Sequence, residues 1–267
     1  MPHVMDIDGR KVWYDVQGGG DPLALIGGSS LVHRQWDFMV PILRDHFKVI
    51  LFDQRGAGLS DRTPSGISLD AWVDDLERIL EALDIEQTDI LSTSNGSLVA
   101  IWFAAKYPGK VKSLVHYGIY RMTDQYRKIS RIGETIIDEF GVGNGSMGAY
   151  YLARMFGTPE TCEQWVADRF EENLMPDAWK AMHAAIDVDL TEDLSRVKAP
   201  QLIMVGEEGP LGKDSDYASG SREANRFGLL AEKVVIPGTN GTFHVLTRPF
   251  ECAQEVLAFL NRHRKEG

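Results

Sequence analysis

The chain has 267 residues, 43% of them hydrophobic, enough to bury the core of one large soluble domain. Its formal net charge of −11 at pH 7 argues against nucleic acid or an anionic membrane surface as a partner. No apolar run is long enough to cross a bilayer, and the opening MPHVMDIDGRK has neither a basic nor an apolar leader region, so the expected location is the cytoplasm. Cys162 and Cys252 lie far apart and match no metal-ligand spacing. They read as small buried hydrophobes rather than a bridge, in keeping with a reducing compartment. No cofactor and no metal are expected.

Residues 4–7 and 11–16 are strand-like runs joined at Asp8-Gly9, a hairpin that Gly18-Gly19-Gly20 ends. From there strands and helices alternate. Residues 23–26 form a short buried strand followed by Gly27-Gly28-Ser29-Ser30, residues 36–43 are helical, and residues 48–52 are the next strand. A loop rich in glycine and charge, 53–61, follows. Ser68 caps a helix whose apolar residues, from Leu69 and Trp72 to Leu80 and Leu83, recur at helical spacing.

The next strand, 88–91, ends abruptly at Ser92-Thr93-Ser94-Asn95-Gly96, and an apolar helical segment runs from 98 to 107 before Pro108. A strand that turns this sharply into a helix lifts the middle residue to the tip of the turn. The N–H of the next residue then faces whatever sits over that side chain. With serine at the tip, this is the geometry of a nucleophile elbow. The pattern Gly-x-Ser-x-Gly is met as Ser92-x-Ser94-x-Gly96, with serine for the first glycine. The plainer reading is a turn of small residues in which Ser94 only caps the helix.

A strand at 113–117 precedes a long interval without a convincing strand, 119–199. Helix-like stretches fall at 129–140, 149–155, 161–171 and 177–186, with a glycine-rich connector at 141–148. Strands at 201–205 and 233–236 and an amphipathic helix over about 250–261 complete the chain. Continuous apolar strands alternating with helices predict an α/β fold, a mostly parallel sheet covered by helices on both faces. In such sheets ligands bind at the carboxyl ends of the strands. The expected division is a core of 1–118 and 200–267 with a helical lid, 119–199, that shapes the pocket.

Three motifs in order resemble the α/β-hydrolase superfamily along nearly the whole chain. Gly27-Gly28, with Trp36 beyond it, stands where that family has His-Gly. Asp53-Gln54-Arg55-Gly56-Ala57-Gly58-Leu59-Ser60 looks like its Asp-x-Arg-Gly-x-Gly-x-Ser loop. The elbow at Ser94 and Tyr107-Pro108-Gly109-Lys110-Val111 complete the set. The resemblance implies an α/β-hydrolase fold and an oxyanion hole made by the backbone N–H groups of Ser29 and Asn95. Each such donor is worth about 3–4 kcal/mol in the transition state. It implies an architectural role for Arg55, and it puts His33 near the pocket mouth as an incidental histidine.

A serine hydroxyl needs a base, and the base an orienting acid. The family's acid follows the seventh strand, and here Gly209 occupies its slot. Glu208, one residue earlier, is assigned as the acid, with Glu207, Asp214 and Asp216 as alternatives. Counting back from Pro249, the family's histidine position is Thr242, but His244 is the only histidine between Lys233 and Pro249. His244 is assigned as the base, with His33 and His116 the next candidates. The order Ser94, acid, His244 is the one this fold requires.

These assignments describe a serine hydrolase that cleaves a small-molecule ester, thioester, lactone or activated C–C bond through an acyl-enzyme. Two alternatives stay open. A Ser-x-Ser-x-Gly elbow also resembles the acyltransferase branch that makes the hydroxyacyl dimers of rhamnolipids. The irregular acid and histidine slots also suit a member with an eroded triad, acting as a non-hydrolytic lyase or a ligand-binding protein.

Overall fold

Eight strands form one sheet in the order β1-β2-β4-β3-β5-β6-β7-β8. They are β1 (His3–Ile7), β2 (Arg10–Gln17), β3 (Pro22–Ile26), β4 (Lys48–Phe52), β5 (Thr88–Thr93), β6 (Val111–Tyr117), β7 (Gln201–Glu208) and β8 (Ala231–Asn240). The computed structural model describes residues 2–117, 124–143, 147–155, 158, 160–194, 196–208, 231–240 and 244–264, with backbone alone at 125, 126, 191, 207, 208, 239 and 240. β1 and β2 form the expected hairpin, with Asp8 at φ 54° and Gly9 at φ 78°, the positive pair that a two-residue hairpin turn requires. β2 pairs antiparallel with β4, and every pairing from there to β8 is parallel.

The central strands are apolar on both sides because both of their faces are covered. In β3, Leu23 and Leu25 join one core while Ala24 and Ile26 join the other. In β4, Val49 and Leu51 alternate in the same way with Ile50 and Phe52. The first core is filled by α1 (Val40–Leu43), α9 (His244–Thr247) and α10 (Pro249–Arg264). The second is filled by α2 (Leu69–Ala82), α3 (Asn95–Lys106) and α8 (Thr191–Leu194). Ser68 caps α2 as expected, its Oγ accepting from the Ala71 N–H at 3.0 Å.

Between β6 and β7 lie α4 (Asp124–Phe140), α5 (Met147–Met155), a 3-10 turn at Glu160–Cys162, α6 (Glu163–Asn173), α7 (Pro176–Ala185) and α8. This insertion is tied to the loops at the carboxyl edge of the sheet. Arg62 donates to the Glu172 carbonyl at 2.9 Å, Asn173 Nδ2 to the Leu31 carbonyl at 3.5 Å, and Met182 lies over Gly56. No helix among the described residues is long and apolar enough to cross a membrane.

Several boundaries differ from the expectation. The helix over 36–43 is two pieces, a 3-10 turn at Val32–Trp36 and the short α1, which opens with Pro41 in its first turn. Proline has no N–H with which to continue an earlier helix, but is tolerated in the first turn of a new one. β7 runs on to Glu208 instead of ending at 205, because β8 keeps pairing with it through Glu208 and Asn240 across a register shift. His244 opens α9 and does not sit in a loop.

Candidate active site

β5 is buried along its whole length and is followed at once by Ser94, whose backbone has φ 52° and ψ −128°. For a residue with a Cβ this is a strained conformation, sustained only where its surroundings over-determine it. Two contacts do so here. The Ser94 N–H donates to the Tyr117 carbonyl of β6 at 2.5 Å, and Ser97 N–H donates to the Ser94 carbonyl at 2.9 Å in the first turn of α3. Ser94 stands at the N-cap position, yet its side chain makes no capping hydrogen bond. The plain N-cap reading therefore fails, and α3 begins at Asn95 rather than near 98 because the turn is completed within one residue.

The neighbouring residues fit this turn closely. A Cβ on Gly96 would run into the Ile26 carbonyl and come within 2.7 Å of the Gly27 carbonyl, so only glycine lets α3 start so close to the end of β3. A Cβ on Gly28 would stand 3.1 Å from the Ser94 Cβ and 3.5 Å from its Oγ, so the serine lies directly over the loop after β3. Ser92, in place of the usual glycine, turns its hydroxyl away from the tip: Oγ lies 3.2 Å from the Val115 carbonyl and 3.3 Å from His116 Nδ1.

Ser29 and Asn95, from different strands' ends, meet: Asn95 Nδ2 donates to Ser29 Oγ at 2.7 Å, and both residues are buried. The Asn95 N–H is the first of α3, one of the four donors that an α-helix leaves without an internal acceptor. The loop is fixed further by Gly28 N–H donating to Gln35 Oε1 (3.1 Å), Gln35 Nε2 donating to Thr93 Oγ1 (3.3 Å) and Gln54 Nε2 donating to the Gly27 carbonyl (3.0 Å).

His244 is 2% exposed, and its ring lies 4.6 Å from that of Tyr117 at 41°. Tyr117 is fully buried in the first core, and burial raises its phenol well above the ordinary value. Next to it, burial pushes the Cys252 thiol up to about 12, so this cysteine is the inert hydrophobe expected. Cys162 is also unbridged but only half-buried. Tyr117 was not singled out from the sequence; in the sheet it pairs with Thr93, one residue before Ser94.

The remaining candidates fall elsewhere. The Glu207 and Glu208 side chains lie outside the described residues, as do Asp214, Asp216 and Thr242. His116 belongs to the second face: its Nε2 donates to Gln201 Oε1 at 3.1 Å, and burial lowers its pKa to about 4. It is a neutral core histidine and not a base for Ser94. His33 is not incidental, since its Nδ1 lies 2.7 and 2.8 Å from the two carboxylate oxygens of the fully buried Asp53. Arg55 is architectural as expected, holding Asp75 of α2 through both Nε (2.7 Å) and Nη2.

A family model described as alpha/beta hydrolase fold matches residues 19–137. The chain is 34% identical over 106 residues to 2-hydroxy-6-oxo-2,4-heptadienoate hydrolase of Pseudomonas putida, a match spanning 38% of this chain and 38% of that protein. It thus spans about two fifths of that relative. Over 97% of this chain and 99% of the other it is 26% identical to the non-heme chloroperoxidase of Streptomyces lividans. Among solved structures, an alpha/beta hydrolase enzyme from a Medee basin deep-sea metagenome library superposes with a TM-score of 0.82 at 20% identity, covering 97% of both chains. With the strand order and the strained serine turn, these matches show an alpha/beta hydrolase fold for this chain. By their names these relatives are enzymes, hydrolases among them.

Proposed function

We propose that this protein is a serine hydrolase that cleaves a carboxylic ester, thioester, lactone or activated C–C bond of a small molecule through an acyl-enzyme. Ser94 attacks the carbonyl, His244 takes its proton, Glu208 orients the imidazole, and the N–H groups of Ser29 and Asn95 receive the oxyanion. Residues 1–118 and 200–267 form the catalytic core, and residues 119–199 act as a lid over it.

The observation that carries this reading is Ser94 itself. It is held at φ 52° beyond a buried strand, does not cap its helix, and lies over Gly28 beside the Ser29–Asn95 pair. Backbone strain of this kind costs on the order of 1–3 kcal/mol and persists mainly at functional sites. Two relatives by name hydrolyse 2-hydroxy-6-oxo-2,4-heptadienoate and 2-hydroxymuconate semialdehyde, which supports a small molecule as the target.

The test is labelling with a fluorophosphonate probe, with the adduct mapped by mass spectrometry. The expected result is modification of Ser94 alone, lost in Ser94→Ala. Absence of labelling, where a known serine hydrolase reacts, sinks the reading in favour of an eroded triad. Product analysis with and without an added alcohol then separates hydrolysis from acyl transfer.

A further inference from the structure

Asp53 directly follows β4, on the side of β3 away from Ser94, and is 0% exposed. A carboxylate so buried must have its charge met by donors. Three come from two loops. From the loop after β3, His33 supplies its backbone N–H (3.0 Å) and its Nδ1 (2.7 Å). From the arginine loop, Leu59 supplies its N–H to Oδ2 at 2.9 Å. The His33 ring is backed by Trp13, with centroids 4.3 Å apart. The Asp53 carbonyl accepts from Ser60 Oγ at 2.5 Å, and Ser60 Oγ in turn accepts from the Trp13 N–H at 2.9 Å.

The residue before His33 shows what this attachment does. Val32 has φ 45°, a region that a β-branched residue enters only under constraint. Its N–H donates back to the Gly28 carbonyl at 2.8 Å, and its own backbone packs against Gly27 so tightly that a Cβ there would overlap the Val32 carbonyl. Segment 27–33 is therefore a closed ring with a strained residue at one end. Gly28 and Ser29, at the other end, face Ser94 and Asn95.

We propose that Asp53 and His33 are positioning residues: by gripping the backbone and ring of His33, Asp53 holds Val32 in its strained conformation and so fixes the loop that carries the Ser29 N–H. The assignment rests on the serine-hydrolase reading above for its kinetic consequence, but not for the grip itself. Neither residue touches the reacting atoms in this account.

The test uses p-nitrophenyl butyrate hydrolysis and amide hydrogen exchange on the full chain. Asp53→Asn keeps the shape and removes the charge. His33→Phe keeps a ring against Trp13 and removes the Nδ1 contact, covering the case in which Asp53→Asn does not fold. Each is expected to lower kcat about tenfold to a hundredfold with KM within about threefold, because an oxyanion donor acts in the transition state. Exchange at the amides of 28–33 should accelerate by about tenfold or more as the loop loosens. In a Val32→Gly background, where positive φ carries no strain, the Asp53→Asn loss should shrink to about threefold. Unchanged exchange and kcat in both variants overturn the proposal, as does an undiminished loss in the Val32→Gly background. A wild-type chain inert to both ester and fluorophosphonate removes the hydrolase reading, and with it the catalytic consequence. The exchange rates then still decide the grip.

Discussion

Tyr117 links Ser94 to His244: its carbonyl accepts the Ser94 N–H at 2.5 Å while its ring lies 4.6 Å from the imidazole. One buried residue thus braces the strained turn and supports the face of the histidine. Tyr117→Phe keeps both contacts and should retain most activity, with stability within about 1–2 kcal/mol of wild type. Tyr117→Leu keeps apolar bulk but loses the ring, and kcat for p-nitrophenyl butyrate should fall about tenfold or more, since small misplacements of a catalytic group are costly. Equal activity in the two variants would remove the ring from the orienting role.

If His244 is the base, His244→Ala abolishes turnover while Thr242→Ala keeps most of it. Full activity in His244→Ala would transfer the role elsewhere. The acid is tested in the same assay. Glu208→Gln should lower acylation by orders of magnitude, as loss of the orienting carboxylate costs about 10⁴-fold in a serine protease, while Glu207→Gln stays near wild type. The reverse pattern would place the acid one residue earlier.

Gly96→Ala tests the close approach of α3 to β3. The new methyl meets the Ile26 and Gly27 carbonyls, backbone atoms that cannot rotate away. Overpacking of this kind costs about 1–3 kcal/mol. Because the same shift moves the Asn95 N–H, the folded fraction should also label more slowly at Ser94 with fluorophosphonate. Normal melting and normal labelling together would contradict the geometry of the turn.

Acid stability should depend on two core histidines. Burial holds His116 and His183 at about 4, below the ordinary 6.5. Between those values the unfolded chain binds more protons than the folded one, so stability rises with pH and falls on acidification from 6.5 towards 4. Each contributes about 2 kcal/mol to the loss at pH 5. The difference in urea unfolding free energy between pH 7 and pH 5 should shrink by about that amount in His116→Gln, whose amide can still reach Ser92 and Gln201. An unaltered difference would mean that His116 is protonated in the folded chain.

The order of strands and helices was legible because apolar runs, glycine turns and the Ser68 cap are local signals that any chain of this pattern carries. Ser94 was legible for the same reason, since a strand, a turn of small residues and a helix follow one another in sequence. The meeting of Ser29 with Asn95 was expected only through the resemblance, and the Asp53–His33 contact and the ring of Tyr117 against His244 were not legible at all, because each joins residues far apart in the chain. Spacing carries no information about such pairs. Once the sheet places β4, β3, β5 and β6 side by side, their carboxyl ends converge on one edge. What the sequence alone determined is therefore the α/β architecture and the serine at its elbow. The tertiary structure decided which histidines are core, which one is gripped by a buried carboxylate, and which one lies on Tyr117, because burial and charge pairing depend on neighbours that only folding supplies.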